Sequence, residues 1–156
     1  MNYVKINLPE KFDFETEIAI VFGDINYGNH LSNDAILRLT NEARIRFLYS
    51  MGLSDFDISG GNNVSVVMRN AVIVYKAEGF HGDIINAKVT VGDYQNNDFE
   101  AFFQLVRVSD SKEIARVQTG IVCFDRINRK PVPVPEFFLS KLDEHRKKIK
   151  NKLTGF

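Results

Sequence analysis

The chain has 156 residues, 44% apolar and 26% charged, which suits one domain spanning 1–156, with a core large enough to fold without disulfide or metal staples. Composition near the globular average excludes disordered and fibrous classes. Twenty Lys plus Arg balance twenty Asp plus Glu, so the chain lacks the basic footprint of a nucleic-acid binder, and no nucleic-acid partner is expected.

The first ten residues hold no apolar h-region or cleavage site. No window approaches the roughly 18 apolar residues of a membrane span, so a soluble cytoplasmic protein without a membrane partner is expected. Phe14 to Phe22 alternates and then runs apolar, which predicts a strand. Gly23 to Asn33 is a loop rich in Gly, Asn, Asp and Ser. Asp34 to about Ser50 has helical spacing, with Ile36, Leu39, Ala43 and Phe47 on one stripe widened by Leu37 and Leu48. Ser32, Asn33 or Asp34 is expected to cap its start, and Met51-Gly52 to end it. A Gly/Asn-rich loop at 59–63 leads into four predicted strands: Val64–Lys76, Ile84–Tyr94, Phe99–Val108 and Ile114–Phe124. Their short connections favour an antiparallel meander. Cys123, the single cysteine, lies in the last apolar run. It forms no intrachain disulfide, which fits a reducing compartment, and reads as a small buried hydrophobe rather than a catalytic thiol. A final helix is predicted at about 136–150.

One strand, one long helix and four long strands have an economical solution: a single twisted antiparallel sheet curled around the helix. This is the α+β arrangement called the hotdog fold.

The unusual stretch is Gly23-Asp24-Ile25-Asn26-Tyr27-Gly28-Asn29-His30-Leu31-Ser32-Asn33-Asp34. A helix N-terminus offers unpaired N–H groups and a positive dipole end, which suit a developing oxyanion or a phosphate. Polar side chains beside it could hold a water or a base. By composition alone, turn geometry and capping explain the same residues.

The stretch resembles the signature of the hotdog acyl-CoA thioesterases of the 4-hydroxybenzoyl-CoA thioesterase-like family, G-D-x-D-x-x-G-H-x-N-N followed by a helix holding E-A-R. Here Gly23-Asp24-Ile25-Asn26, His30, Asn33 and Glu42-Ala43-Arg44 stand at that spacing. Tyr75 to Asp83 is similar to the family's Y-x-x-P-x-x-x-G-D. Phe124-Asp125 with Arg129-Lys130-Pro131-Val132-Pro133 is similar to its ending. The likeness covers about 14–138. It implies hydrolysis of an acyl-CoA thioester to free acid and CoA, with acyl-CoA as substrate and no cofactor. It also implies a homodimer or homotetramer whose sheets join edge to edge and whose sites lie between subunits. Long strands with apolar residues on both faces agree, since a monomer would keep a sticky edge.

The family's usual catalytic Asp matches Asn26, and an amide cannot be a base. By the variant pattern that pairs a loop Asn with a helix carboxylate, Glu42 would be the carboxylate and Asn26 the positioning group. Backbone N–H groups of Asn33 and Asp34 would bind the oxyanion; His30 would assist or merely hold the loop. Asp24 and Asp34 are reserve carboxylates. Glu42 has an alternative role in an Arg38–Glu42–Arg46 ion-pair ladder. Arg126, Arg129 and the Lys-rich tail are candidate phosphate contacts, and the tail also reads as a solvated helical face. His30, His81, His145 and Cys123 show no metal spacing, so no metal site is expected. Two other readings compete: a hotdog hydratase-dehydratase acting on 3-hydroxyacyl or enoyl thioesters, and a non-catalytic acyl-CoA-binding hotdog protein.

Overall fold

A computed structural model describes residues 1–155. In chain order the elements are β1 (Phe14–Ala19), a 3-10 turn (Phe22–Asp24), α1 (Ala35–Ser50), β2 (Val64–Tyr75), β3 (Ile84–Gln95), β4 (Asp98–Arg107), β5 (Glu113–Asp125), β6 (Lys130–Pro131) and α2 (Glu136–Thr154). The sheet order is β1-β3-β4-β5-β2, with β6 added beside β5. All pairings are antiparallel. The sheet curls around α1, so the expected hotdog architecture is the observed one.

Period-2 patterning sets the inner face. Ile85, Ala87, Val89 and Val91 of β3 are buried, as are Phe99, Ala101, Phe103 and Leu105 of β4. They meet Ile36, Leu39, Ala43 and Phe47 on the stripe of α1. Each large side chain so buried contributes about 1.5–3 kcal/mol.

Four expectations need correction. First, β1 ends at Ala19, not Phe22. Val21 and Phe22 are exposed while Asp24 is buried, because the chain bends in a 3-10 turn to carry that carboxylate inward. Second, no side chain caps α1: Asp34 occupies the cap position in helical conformation (φ −75°, ψ −27°) without a side-chain cap bond. The neighbouring Ser32 hydroxyl, with the backbone N–H groups of residues 34 and 35, holds the Asp34 carboxyl below the usual range. Third, the meander is limited to β3-β4-β5. β1 takes the place beside β3, and β2 pairs with β5 at the far edge. Residues 76–83 make the crossing, with the Lys76 and Ala77 N–H groups on the Ile114 carbonyl and the Gly82 N–H on the Ile20 carbonyl. Gly79 permits this path, since a Cβ there would lie 2.8 Å from Ile20 Cδ1. Fourth, the tail is not simply solvated. The Arg146 guanidinium grips buried Asp13 at 2.7 and 2.9 Å, and Asp13 in turn accepts from Thr90 and the Val91 N–H. Phe138 of α2 stacks on Phe99, ring centroids 5.0 Å apart.

The two sheet edges differ. β1 is short, carries Glu15 and Glu17, and has the Glu17 carbonyl occupied by Arg46 Nη1 at 2.9 Å. β2 is twelve residues long with Arg69 as its one charge, and Arg69, Asn70 and Ala71 are exposed in succession. Arg69 forms a bulge, and Asn70 Oδ1 accepts the Gly120 N–H at 2.9 Å across it. Glycine suits the opposite position: a Cβ on residue 120 would sit 2.2 Å from that oxygen, and the Asn70 side chain would have to swing away.

Candidate active site at the amino end of helix α1

The connection from β1 to α1 is a small hairpin. Asn26 N–H donates to the His30 carbonyl at 2.9 Å and Asn29 N–H to the Asn26 carbonyl at 3.0 Å. Ile25 and Leu31 form an isolated bridge. Asn29 has φ 66°, a left-handed turn position that asparagine tolerates. The Leu31 N–H reaches the Gly79 carbonyl at 2.8 Å, which fastens the hairpin to the 76–83 crossing.

Asp24 ties this loop together. It is 2% exposed. Its carboxylate takes Arg38 Nε and Nη2 at 2.5 and 2.6 Å, and the Val21 N–H at 2.9 Å. Its carbonyl accepts the Ser32 N–H at 2.8 Å. A carboxylate so occupied ties the 3-10 turn to the first turn of α1, with three of its roughly four acceptor sites taken.

Asn26 Oδ1 accepts the His30 N–H at 3.4 Å, which leaves its amide donors as the useful chemistry. The His30 ring lies beside Asn26, and its Nδ1 is 3.3 Å from the Leu31 carbonyl. Both side chains border Gly28: a Cβ there would meet His30 Nε2 at 3.1 Å and Asn26 Oδ1 at 3.2 Å. Asn33 and Asp34 are exposed, so the start of α1 is open. Tyr75, at the end of β2, donates its hydroxyl to the Asn33 carbonyl at 3.1 Å. Tyr75 was legible only as the first letter of a motif, and nothing in the sequence paired it with Asn33.

Glu42 lies about two turns into α1. Its side chain is 40% exposed and accepts Arg46 Nε at 2.8 Å. Arg46 Nη1 continues to Thr16 Oγ1 and the Glu17 carbonyl. Half of the expected ladder therefore exists, while Arg38 has gone to Asp24. Arg44 of the E-A-R motif is structural, with two bonds to Asp55 at 3.1 and 2.7 Å.

Other motif residues hold turns. Asp83 accepts from the Phe80 N–H and Arg107, and Asp125 from the Ile127 and Asn128 N–H groups. Burial, with Asp98 nearby, pushes the Cys123 thiol up to about 12. Among the described residues no group of three or more His, Cys, Asp and Glu is placed to hold a metal ion, and no helix is long and apolar enough to cross a membrane. The enclosed apolar cavity between the carboxyl half of α1, the sheet and Phe138 is about 10 Å³, too small for an acyl chain.

A family model for the thioesterase-like superfamily matches residues 20–142. Solved structures share the fold at low identity. A 1,4-dihydroxy-2-naphthoyl-CoA thioesterase from Synechocystis is 21% identical with a TM-score of 0.75, over 84% of this chain and 96% of that one. A Staphylococcus aureus protein in complex with CoA is 17% identical with a TM-score of 0.76, over 92% and 89%. A probable thioesterase from Escherichia coli is 16% identical with a TM-score of 0.68, over 84% and 97%. No curated protein sequence matches the chain. The matched span takes in the hairpin, α1, strands β2 to β6 and the start of α2, and on that match the chain belongs to the thioesterase-like superfamily.

Proposed function

We propose that this protein hydrolyses an acyl-CoA thioester to a carboxylic acid and free CoA, and that it does so as a homodimer. The observation that carries the reading is the open amino end of α1, framed by Asn26 and His30 and braced by Asp24 and Tyr75. Family membership and the naphthoyl-CoA thioesterase and CoA-bound neighbours support the substrate class.

The thioester carbonyl would lie at the Asn33–Asp34 N–H groups. Charge on its oxygen grows as water adds to the carbonyl carbon, and one such donor lowers the barrier by about 3–4 kcal/mol. Glu42 would take the proton from that water as the C–O bond forms. The tetrahedral intermediate then expels the CoA thiolate, which is protonated to the thiol. The Asn26 amide would orient the water or the carbonyl. Asp24 is not a base in this scheme, because Arg38 holds both of its oxygens.

The open site and the open edge support the dimer. A single chain leaves Asn33 exposed at that end of the helix. A long strand edge with one charge is a template for another strand. Two copies meeting at β2 would pair antiparallel about a two-fold axis.

One observation favours a second reading, a non-catalytic acyl-CoA binder. The residue in the family's usual carboxylate position is Asn26, and Glu42 is tied to Arg46. Release of free thiol from a panel of aromatic and aliphatic acyl-CoAs decides between them. Turnover that Glu42→Gln abolishes supports hydrolysis; tight acyl-CoA binding with no thiol released selects the binder.

A further inference from the structure

We propose that Tyr75 is a positioning residue for the reaction: its hydroxyl, seated on the Asn33 carbonyl, aims and polarises the Asn33–Asp34 peptide so that the Asp34 N–H meets the thioester oxygen. This rests on the acyl-CoA reading above and adds to it the group that sets the donor.

The strand dictates where the ring goes. Ile73 packs against the core, and Tyr75, two residues on, shares its face of the sheet. The ring therefore turns toward α1 and not toward the outer face. Its backbone is fixed, since Tyr75 pairs with Ala115 and the Lys76 and Ala77 N–H groups both reach the Ile114 carbonyl, at 2.8 and 3.2 Å. The hydroxyl donates to the Asn33 carbonyl at 3.1 Å.

Main-chain bonds tie the backbone on either side of that carbonyl. The Leu31 N–H reaches the Gly79 carbonyl and the Ser32 N–H the Asp24 carbonyl, at 2.8 Å each, and the Asp34 carbonyl accepts the Leu37 N–H at 3.1 Å. The Asn33 carbonyl has no main-chain donor among the described residues, and Tyr75 supplies it one. A hydroxyl on a carbonyl draws charge toward the oxygen. Amide resonance passes that demand to the nitrogen, so the N–H becomes a better donor. The same bond fixes the peptide plane before charge develops on the substrate. Tyr75 is 51% exposed, so the direction it imposes counts for more than the energy of the bond. The Asp34 carboxylate, exposed at the same end, accepts from the N–H groups of residues 34 and 35. An anion thus already takes this place, on a side chain free to swing off it. Phenylalanine at 75 would keep the ring and its packing and lose only the bond to Asn33.

The test is Tyr75→Phe, with melting followed in both proteins. The probe is a CoA ketone in which CH2 replaces the thioester sulfur, so that it cannot be hydrolysed. Isotope-edited infrared difference spectra follow its carbonyl stretch. Wild type should move the stretch of the bound ketone below its frequency in water. Tyr75→Phe should lose about half of that displacement while binding the ketone within about threefold of wild type. With acyl-CoA the variant should lose about tenfold in kcat with KM within about twofold, the split expected of a bond that matters only in the transition state. A ketone stretch unmoved by wild type, an equal displacement in both proteins, or an unchanged kcat overturns the proposal. A ketone that does not bind takes the acyl-CoA reading down together with it. The two otherwise fail separately: a displacement that Tyr75→Phe reduces, with no thiol released from acyl-CoA by wild type, sinks the hydrolase alone, and hydrolysis with kcat and carbonyl stretch indifferent to Tyr75 sinks this proposal alone.

Discussion

Replacing Asp24 by Asn is the sharpest probe of how the loop is held. The carboxylate makes two bonds to Arg38 at 2.5 and 2.6 Å and one to the Val21 N–H at 2.9 Å. An Asn keeps one acceptor and turns an NH2 group toward Arg38 Nε in one flip, or toward both Arg38 Nη2 and the Val21 N–H in the other, donor against donor. Removing one partner of a buried charge pair costs about 3–5 kcal/mol. Arg38 is 43% exposed and regains water, so the expected loss is about 2–3 kcal/mol. For a chain of this size that is a fall of about 5–10 °C in Tm. Urea denaturation measures it, and a double-mutant cycle with Arg38→Gln should return a coupling of about 2 kcal/mol. A loss below about 1 kcal/mol, or no coupling, would refute the assignment of Asp24 as the loop's anchor.

Three further outcomes are expected. Cys123 is fully buried with its thiol pushed up to about 12, so in native protein a disulfide reagent should label it only at the rate of unfolding; rapid labelling would contradict the packing. Burial opposes ionisation of Asp57, but the Ser59 hydroxyl and N–H and the Gly61 N–H outweigh it and hold its carboxyl below the usual range. A folded pKa below the unfolded one stabilises the fold above the unfolded value and is lost as pH falls through the folded one, so Asp57→Asn should flatten the loss of stability below about pH 4. An unchanged acid limb would exclude that residue as a contributor. Phe103→Ala, at a site with no exposure between the sheet and α1, should cost about 3–5 kcal/mol in urea denaturation; a cost under 1 kcal/mol would mean that the core closes over the gap.

The fold was legible because two periodicities were clean. Ile85, Ala87, Val89 and Val91 fall on one face of a strand, and Ile36, Leu39, Ala43 and Phe47 on one stripe of a helix. Strand order was not legible beyond the meander, because nothing local in residues 76–83 says that they cross to the opposite side of the sheet. The site was partly legible. The hairpin residues stand out by composition, yet the sequence offered Asp24 as a reserve base and only geometry shows Arg38 spending it. Tyr75 on Asn33 and Arg146 on Asp13 join residues 42 and 133 positions apart, and no spacing rule reaches that far. The Glu42–Arg46 pair follows from i,i+4 spacing; the missing Arg38 arm does not, since a buried carboxylate outcompetes a half-exposed one for the same guanidinium.

The most direct measurement is kcat/KM for free-thiol release from acyl-CoA by wild type and by Glu42→Gln, with melting and CoA affinity followed in both. Wild type should turn over, and the variant should lose at least a hundredfold in kcat with CoA still bound. Wild-type rates in Glu42→Gln would remove the helix carboxylate from the mechanism, and a wild-type protein that binds acyl-CoA yet releases no thiol would contradict the hydrolase outright.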